Sequence, residues 1–296
     1  MNLPTISVIS PSYNQGEFLE ETILSVLGQN YPNLEYIIID GGSSDNSVEL
    51  IKKYQKEIHY WESVKDGGQS NAINKGFKHA TGNILMWLNS DDLLMPNVLS
   101  YIARVVIEQK DGFYFGNCIR FREKETGLQC LNSDVVAEDK KLQLEQIDYI
   151  FQSSSFWTRK VWEVVGELNE QLHYGFDWEW FLRVKRHGIK MTALNKCLSL
   201  YRLHDKHKTG KGGRERQDEL LKIYQTYNPI EAKLYADLIT QEEDWGIKEI
   251  YKAILLKRLY MFRKIQISEE KILKLIKPKK YKQYSELEIN SFRRML

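Results

Sequence analysis

Hydrophobic and polar positions follow a regular order over residues 1–95. Short, β-branched apolar runs predict buried strands at 6–10, 34–39 and 84–88, and 58–61 could form a further short strand. Between them, apolar residues recur at helical spacing, which predicts helices at 17–27, 47–57 and 71–79. Alternation of strand and helix is typical of a parallel sheet with helices on both faces, so we expect an α/β fold.

Polar loops follow the ends of these predicted strands. They lie at 11–14, 40–45, 66–70 and 89–92. Right-handed crossovers bring such loops to one edge of the sheet, where open α/β folds bind ligands. The convergence of four loops, more than any one of them, predicts a binding site.

The second half of the chain is less regular. Helical spacing predicts helices at 98–109, 159–165 and 178–187, and apolar runs predict strands at 112–117 and 192–201. A hairpin is expected over 118–131, and 147–157 shows no clear pattern. A polar, glycine-containing loop follows at 204–213. We therefore expect a catalytic domain over 1–213 and a basic helical region over 214–296.

The polar cluster that begins at Asn89 ends in two adjacent carboxylates, Asp91 and Asp92. Mg²⁺ and Mn²⁺ prefer oxygen ligands, and a cation that bridges phosphates usually takes one or two protein carboxylates. One hypothesis is that Asp91 holds a metal ion that in turn holds a diphosphate. The alternative is a solvated turn, or an Asp92 side chain that caps the next helix.

Asp40 and Asp66 are each followed by two glycines, which allow a ligand to approach the backbone closely. Their carboxylates could accept hydrogen bonds from a base or a ribose, or could simply order an Asx turn. The glycine-rich loop after Asp66 lacks the Gly-Lys-Ser/Thr of a Walker motif and is not GxGxxG. This disfavours an ATPase or a dinucleotide enzyme.

Two later residues are candidates for chemistry. His204 follows the last predicted strand, and imidazole is a good Mn²⁺ ligand, although a surface histidine in a basic loop is the alternative. Asp177 opens an amphipathic helix, where a carboxylate serves either as an N-cap or as a general base for an attacking alcohol.

Charge is distributed unevenly along the chain. Residues 246–296 contain 14 Lys and Arg against 5 Asp and Glu, a net of +9, which leaves −7 for the rest of a chain of net charge +2. The segment 247–264 is basic and amphipathic, so it could lie on an anionic membrane surface or pack on the catalytic domain. An acidic body without an RNA-binding motif disfavours nucleic acid as a partner.

Cysteine spacing and hydropathy bear on the cellular location of the protein. The three cysteines show no CxxC spacing, which indicates a reducing compartment and disfavours a zinc site. No secretory leader and no apolar run of about 20 residues is evident. We expect a cytoplasmic protein, and the basic segment leaves open either peripheral contact with the cytoplasmic face of the membrane or packing on the catalytic domain.

Four motifs now carry a resemblance to a known family. Ile6–Asn14, Ile37–Asn46, Asp66–Gly76 and Asn89–Asp92, in this order and spacing, resemble glycosyltransferase family 2. The resemblance covers roughly residues 4–210. It implies a GT-A fold, a nucleotide-sugar donor, an inverting reaction and a Mn²⁺ or Mg²⁺ cofactor.

The resemblance also implies roles for individual residues. On the nucleotide side, Pro11, Ser12 and Tyr13 would line the base, Asp40 would bind it, usually as uracil, and Asp66 would lie nearby. Asn89, Ser90 and Asp91 match the DxD motif, with Asp91 as metal ligand. Asp177 would be the general base and His204 the second metal ligand.

The chain departs from the family pattern at three positions. Asn89 replaces the first acid of DxD, Phe176 replaces the acid before the base, and Ile73 stands where an arginine is common. Neutralisation of the phosphates would then fall to other cations, and the candidates are Lys206, Lys208 and Lys211.

The predicted function is transfer of a sugar from a UDP-sugar to a hydroxyl of a lipid-linked saccharide, in surface polysaccharide biosynthesis. One alternative is a catalytically silent module that binds nucleotide sugars. The other is a sugar-phosphate nucleotidylyltransferase, which would need a glycine-rich, Lys- or Arg-bearing phosphate loop after the first strand. Residues 11–14 do not supply that loop.

Overall fold

The computed structural model describes residues 3–124, 127–134, 143–205, 208 and 212–244. The strands are β1 Ile6–Ser12, β2 Leu34–Asp40, β3 Tyr60–Ser63, β4 Ile84–Trp87, β5 Leu93–Leu94, β6 Phe113–Lys124, β7 Gly127–Asp134, β8 Ser155–Thr158 and β9 Met191–Arg202. The helices are α1 Leu19–Leu27, α2 Ser47–Lys53, α3 Gln69–His79, α4 Val98–Gln109, α5 Arg159–Val165, α6 Phe176–Arg186, α7 Gly213–Tyr227 and α8 Pro229–Asp244, with a 3-10 turn at Gln152–Ser154.

One half of the sheet is purely parallel. Its order is β3-β2-β1-β4, and Ile6 pairs with Leu34 on one side and Ile84 on the other. Each of these strands is joined to the next in sequence through a helix. The α/β fold predicted from residues 1–95 is therefore confirmed, and the carboxyl ends of these strands meet at one edge.

The other half of the sheet is mixed. β8 lies antiparallel between β4 and β6, β9 runs parallel to β6, and the short β5 pairs antiparallel with β9. β7 forms the predicted hairpin with β6. The sequence did not predict β5 or β8. β8 is buried at every position, so it shows no alternation, and β5 has only two residues.

Both faces of the sheet are covered. On one face, Ile6 and Val8 belong to the same core as Ile23 of α1 and Ile102 of α4. On the other face, α3 lies so close to β1 that a Cβ at Gly76 would sit 2.5 Å from a methyl carbon of Ile9.

Aromatic rings fill much of this second face. Trp157 of β8 packs 4.6 Å from Trp180 of α6 and 5.4 Å from Trp87 of β4, measured between ring centroids. Buried aromatic side chains contribute large apolar areas to a core. This cluster therefore fixes α6, the helix that carries Asp177, against the strand that precedes Asn89.

The chain divides into two compact units. The first contains the described residues of 1–141 together with Tyr149–Glu219, and the second contains those of 142–148 and 220–296. Within the second, the Tyr224 hydroxyl donates to the Gln146 carbonyl (2.8 Å) and Tyr224 packs on Tyr235. Helices were expected beyond residue 214 and are present as far as Asp244. The predicted domain boundary after residue 213 stays a prediction.

Several sequence-based predictions lie outside the described residues. They are the membrane-contact segment 247–264 and the lysines Lys206 and Lys211. Within the described part of the chain, every helix is too short or too polar to cross a bilayer.

Candidate active site

Asp40 ends β2 and is completely buried. Its carboxylate accepts hydrogen bonds from the N–H of Gly42 (3.2 Å) and Ser43 (2.8 Å) and from the hydroxyls of Ser43 (2.5 Å) and Ser63 (2.7 Å). This is the Asx-type geometry expected of an aspartate that orders its own turn. The turn gives the loop after β2 a defined shape, and the predicted contact of Asp40 with a base stays a prediction.

Asp66 lies beside this loop because Gly41 has no side chain. A Cβ at Gly41 would come within 3.0 Å of an Asp66 carboxylate oxygen. Gly42 has φ +82°, a conformation that favours glycine. Asp66 also accepts the N–H of Gly68 at 2.8 Å, which fixes the start of α3. The glycines after Asp40 thus bring two separate carboxylates to one place.

The end of β1 forms the adjoining wall. Ser12 pairs with Asp40, and both Pro11 and Ser12 are buried, whereas Tyr13 is 62% exposed. The buried Ser12 hydroxyl has no hydrogen-bond partner among the described residues. An exposed ring next to a buried hydroxyl suits a planar ligand with polar edges, as predicted for Pro11, Ser12 and Tyr13.

Asp91 and His204 are 113 residues apart in the sequence and adjacent in space. His204 Nε2 lies 3.1 Å from Asp91 Oδ2. Asp91 follows β4 and His204 follows β9, so two strand ends meet here. The side chains are 21% and 11% exposed, respectively. The structure therefore places the two predicted metal ligands together at the carboxyl edge, beside the buried Ser90.

Arg202 holds this pair in place. Its side chain is 3% exposed, and its guanidinium forms ion pairs with Glu21 (2.6 Å) and Glu123 and donates from Nε to the Asp91 carbonyl (3.1 Å). Buried arginines are retained where their fork of donors is satisfied. Arg202 thereby ties the backbone at Asp91 to the strand that leads to His204.

Asp92 is buried and structural. Its Oδ1 accepts the backbone N–H of Arg202 at 3.1 Å. Burial, reinforced by the neighbouring Asp91 charge, raises its pKa well above the ordinary range. The alternative that Asp92 caps a helix is wrong, because the next helix, α4, begins only at Val98.

Asn89 is connected to the late loop through a glutamine. Gln69 donates from Nε2 to Asn89 Oδ1 (2.9 Å) and accepts at Oε1 from the Lys208 ammonium (3.3 Å). Gln69 is the first residue of α3, and Lys208 lies four residues beyond His204. Lys208, one of the cations expected to compensate for Ile73, is therefore connected to the DxD-like motif through Gln69.

Asp177 lies near enough to Lys208 for the two charges to attract each other. It is in the first turn of α6, where Gly175 occupies the N-cap position, and its Oδ1 accepts the N–H of Trp178 at 2.8 Å. Burial raises the pKa of Asp177, while the Trp178 N–H and the Lys208 ammonium act in the opposite direction. A half-buried carboxylate of raised pKa, near a cation, is suited to accept a proton.

Lys208 is itself perturbed. Desolvation lowers its pKa to about 8, against the attraction of Asp177 and Glu219. Its ammonium lies 5.5 Å from the Phe176 ring centroid and 5.7 Å from that of Tyr174, within the range of a cation–π contact. Phe176, which replaces the usual acid, thus forms part of the surface on which this cation rests.

Sequence analysis missed three residues that shape the site: Gln69, Arg202 and Glu219. Gln69 lay within a predicted polar loop, and Arg202 stands two residues before a named histidine, so both had a weak signal. Glu219 had none, because it acts through the backbone of a distant turn.

The Asp91 and His204 pair fits a divalent cation. It offers one carboxylate oxygen and one imidazole nitrogen, a set that suits Mn²⁺ better than Mg²⁺. Groups of three or more His, Cys, Asp or Glu side chains that could hold a metal are absent from the described residues. Two protein ligands are nevertheless usual when phosphate oxygens complete the shell.

The sequence is similar to those of several bacterial glycosyltransferases. The chain is 28% identical over 191 residues to an uncharacterized glycosyltransferase of Rickettsia felis. The matched region covers 62% of this chain and 32% of that relative. The chain is 27% identical over 210 residues to the putative teichuronic acid biosynthesis glycosyltransferase TuaG of Bacillus subtilis, covering 68% and 79%. The chain therefore spans about a third of the length of its relatives from Rickettsia felis and Rickettsia conorii.

Solved structures share the fold at low identity. The mannosyltransferase PcManGT from Pyrobaculum calidifontis, in complex with GDP-Man and Mn²⁺, superposes with a TM-score of 0.61 at 14% identity over 89% of this chain and 82% of that one. S. aureus TarS in complex with UDP-GlcNAc gives 0.59 at 15%, over 74% and 65%. The predicted GT-A fold is confirmed.

The family itself is recognised by a sequence profile. The profile described as glycosyl transferase family 2 matches residues 7–161, more than half of the chain. The matched stretch contains Asp40, Asp66 and Asn89–Asp92, while Asp177 and His204 follow it. The chain belongs to glycosyl transferase family 2.

Proposed function

We propose that this chain transfers a sugar from a UDP-sugar to a hydroxyl of a saccharide acceptor and inverts the anomeric configuration. One observation carries the proposal: Asp91 and His204, remote in sequence, meet at 3.1 Å on the edge where Asn89, Gln69 and Lys208 are hydrogen-bonded in series. These groups suit a diphosphate, which needs cations around it.

The nucleoside end of the donor would lie over the ends of β1 and β2. The exposed Tyr13 ring can stack on a base, and the loop ordered by Asp40 can present polar groups to the base edge. Asp66 is close enough to this loop to contact the ribose. UDP as the nucleotide is supported by the fold shared with TarS, a protein solved with UDP-GlcNAc.

The diphosphate end would lie at Asp91 and His204. A Mn²⁺ or Mg²⁺ ion held there would offset the charge that builds up on the leaving diphosphate. Asn89 brings no charge of its own, and Lys208 supplies a positive charge through the Gln69 bridge. PcManGT, which has the same fold, was solved with Mn²⁺.

Asp177 is the proposed base. A carboxylate whose pKa is raised by burial holds a proton more tightly than an exposed one, while the Lys208 ammonium acts to lower that pKa and so favours the ionised form that can accept a proton. The acceptor hydroxyl would give its proton to Asp177 while its oxygen attacks the anomeric carbon and the bond to the diphosphate breaks. In-line attack from the opposite face inverts that carbon.

The acceptor is proposed to be a saccharide, carried on a lipid, in the assembly of a surface polysaccharide. The name of TuaG, a relative at 27% identity, supports polysaccharide synthesis. The basic segment 247–264 supports peripheral contact with the cytoplasmic face of a membrane.

The direct experiment measures nucleoside diphosphate release from a panel of nucleotide sugars with Mn²⁺, Mg²⁺ or EDTA. We expect metal-dependent release from UDP-sugars, accelerated by a saccharide acceptor, with a product of inverted anomeric configuration by NMR. Binding without release from any donor, with or without acceptors, would instead identify a silent binding module.

A liposome assay tests the membrane contact. Full-length protein should bind anionic vesicles more strongly than a chain that ends at residue 244, and added salt should weaken the difference. Equal binding of the two proteins would remove the membrane from the proposal without affecting the reaction.

A further inference from the structure

The turn before α6 is held by a carboxylate from a distant helix. The backbone N–H groups of His173, Tyr174 and Gly175 all donate to the Glu219 carboxylate, each at 2.6 Å. Successive N–H groups that point to one centre form a nest for an anion, and bonds to a charged acceptor are the stronger kind. In this protein the anion is a side chain of α7, 44 to 46 residues farther along the chain.

This turn leads directly into the proposed base. Gly175 is the N-cap residue of α6, and Asp177 follows two positions later. The first N–H groups of a helix have no partner within the helix and need an acceptor from elsewhere. Glu219 accepts the N–H of the N-cap residue Gly175, and the Asp177 carboxylate itself accepts that of Trp178 in the first turn.

The same carboxylate takes part in the charge balance around the base. The charged groups that act on Asp177 are Lys208 and Glu219, which have opposite effects on its proton affinity. Glu219 also attracts the Lys208 ammonium. Desolvation and the Lys208 charge lower the pKa of His173 in the turn, and Glu219 and Glu215 act in the opposite direction. Phe176, the residue before Asp177, contributes no charge, so the second carboxylate near the base comes from α7.

We propose that Glu219 is a positioning residue for Asp177. It locks the 173–175 turn through its backbone, and it provides the negative charge that the residue before the base does not. The inference rests on the proposed function for the role of Asp177, but the clamp on the turn can be tested independently of activity. Glu219 does not touch the reacting atoms in this assignment.

The test compares Glu219→Ala and Glu219→Gln with the matched control Asp218→Asn. Asp218 is the adjacent residue, and its carboxylate forms an exposed ion pair with Arg214 at 2.9 Å. We expect Glu219→Ala to lower kcat about 10- to 100-fold, because displacement of a reacting group by about 1 Å costs this order of rate. The KM for the donor should change less than twofold.

Glu219→Gln separates position from charge. The amide oxygen can still accept N–H bonds, so kcat should recover partly. The loss of the negative charge should move the acid limb of kcat/KM to lower pH, because Glu219 raises the pKa of Asp177. A residue that acts only on stability would leave this limb unchanged, and an unmoved limb in a folded Glu219→Gln protein would overturn the charge role.

Hydrogen exchange provides the readout that needs no turnover. In the full-length protein, the amides of 173–175 should exchange at least tenfold faster in Glu219→Ala than in wild type, with no change in Asp218→Asn. Unchanged protection in Glu219→Ala would overturn the inference even if the enzyme is active. Faster exchange in a protein that transfers no sugar would instead support the clamp and refute the proposed function.

Discussion

The two ends of β2 each carry a buried carboxylate, and the two are used differently. At the amino end, Glu35 accepts hydrogen bonds from the Ser7 hydroxyl (2.6 Å) and from the backbone N–H of Thr81 (2.8 Å) and Gly82 (3.0 Å). At the carboxyl end, Asp40 accepts mainly from the loop that follows it. Glu35 therefore connects separate elements, whereas Asp40 shapes a single loop.

The difference extends to the whole edge of the sheet. Near Glu35 the polar atoms are directed at one another, and burial, which would raise the pKa of Glu35, is outweighed by its hydrogen bonds, so that its pKa is lowered. At the carboxyl edge, Tyr13, Asp91 and Asp177 keep part of their surface exposed. We expect a change at Glu35 to alter stability, and changes at the partly exposed carboxylates of the carboxyl edge, Asp91 and Asp177, to alter activity.

The largest expected effect is that of Asp177→Asn. An amide cannot accept the proton of the acceptor hydroxyl, so turnover should fall roughly 10²- to 10⁴-fold. Donor affinity, measured by titration calorimetry with UDP, should remain within about twofold because the change removes general-base catalysis. The matched control is Asp111→Asn, whose exposed carboxylate pairs with Lys160 at 3.2 Å.

Two results would contradict this assignment. Normal turnover in Asp177→Asn would exclude Asp177 as the base. An unfolding free energy reduced as strongly as in a change at Glu35 would mean that the two edges do not differ in the way described.

Asp91→Asn should have the next largest effect. Loss of the carboxylate should weaken UDP binding in the presence of Mn²⁺ about 100-fold, since a metal contributes several kcal/mol when it bridges phosphates. With EDTA, the variant and wild type should bind UDP about equally. Calorimetry with and without Mn²⁺ makes the comparison, and an equal loss in both conditions would show that Asp91 contacts the nucleotide without a metal.

Glu35→Gln tests the amino edge. Its amide would direct a donor at one of the N–H groups that Glu35 now accepts, so unfolding should become easier by ~3 kcal/mol in urea titrations. Glu167→Gln, which breaks only an exposed pair with Lys78, should cost under ~1 kcal/mol. The kcat of folded Glu35→Gln should match that of wild type. A loss of kcat without a loss of stability would contradict the assignment of the amino edge to stability.

The loss of stability in Glu35→Gln should also depend on pH, and it should be smaller in acid. The pKa of Glu35 is lowered in the folded state, so its stabilisation is complete above the unfolded value of 4.5 and disappears as pH falls through the folded value. The gap between wild type and Glu35→Gln should therefore shrink below pH 4.5. A gap that is constant from pH 7 to pH 3 would point to packing as its cause.

The sequence predicted most of what is local in this structure. The parallel strands, the helices 98–109 and 159–165 and the polar strand ends follow from periodicity, because each pattern is contained in a short window. The same signals could not show β8, whose pairing with β4 and β6 depends on residues 40 to 74 positions away.

The candidate site was predictable to a different degree. Asp40, Asp66 and Asp91 stand at strand ends, so their convergence followed from topology. The pairing of Asp91 with His204 came from the family resemblance, since no local pattern joins residues 113 positions apart. Glu219 and Gln69 were missed because their roles arise from hydrogen bonds that tertiary structure alone creates.

The smallest expected effect is that of Lys208→Arg, which keeps the positive charge and changes the shape of the side chain. Desolvation lowers the pKa of Lys208 to about 8, so its ammonium is lost as pH rises through that value. If the cation assists the leaving diphosphate, kcat/KM of the wild type should decline above pH 8. Arginine stays charged, so Lys208→Arg should lose this limb and keep its rate up to higher pH.

At pH 7 the rates of Lys208→Arg and wild type should differ only a few-fold, because both side chains are then charged and only the fit against Gln69 changes. Lys160→Arg, an exposed substitution of the same kind, should keep the wild-type profile. A basic limb that persists unchanged in Lys208→Arg would assign it to another group. The cation would then belong, like Glu35, to the part of the molecule that serves stability, although it lies at the edge expected to serve catalysis.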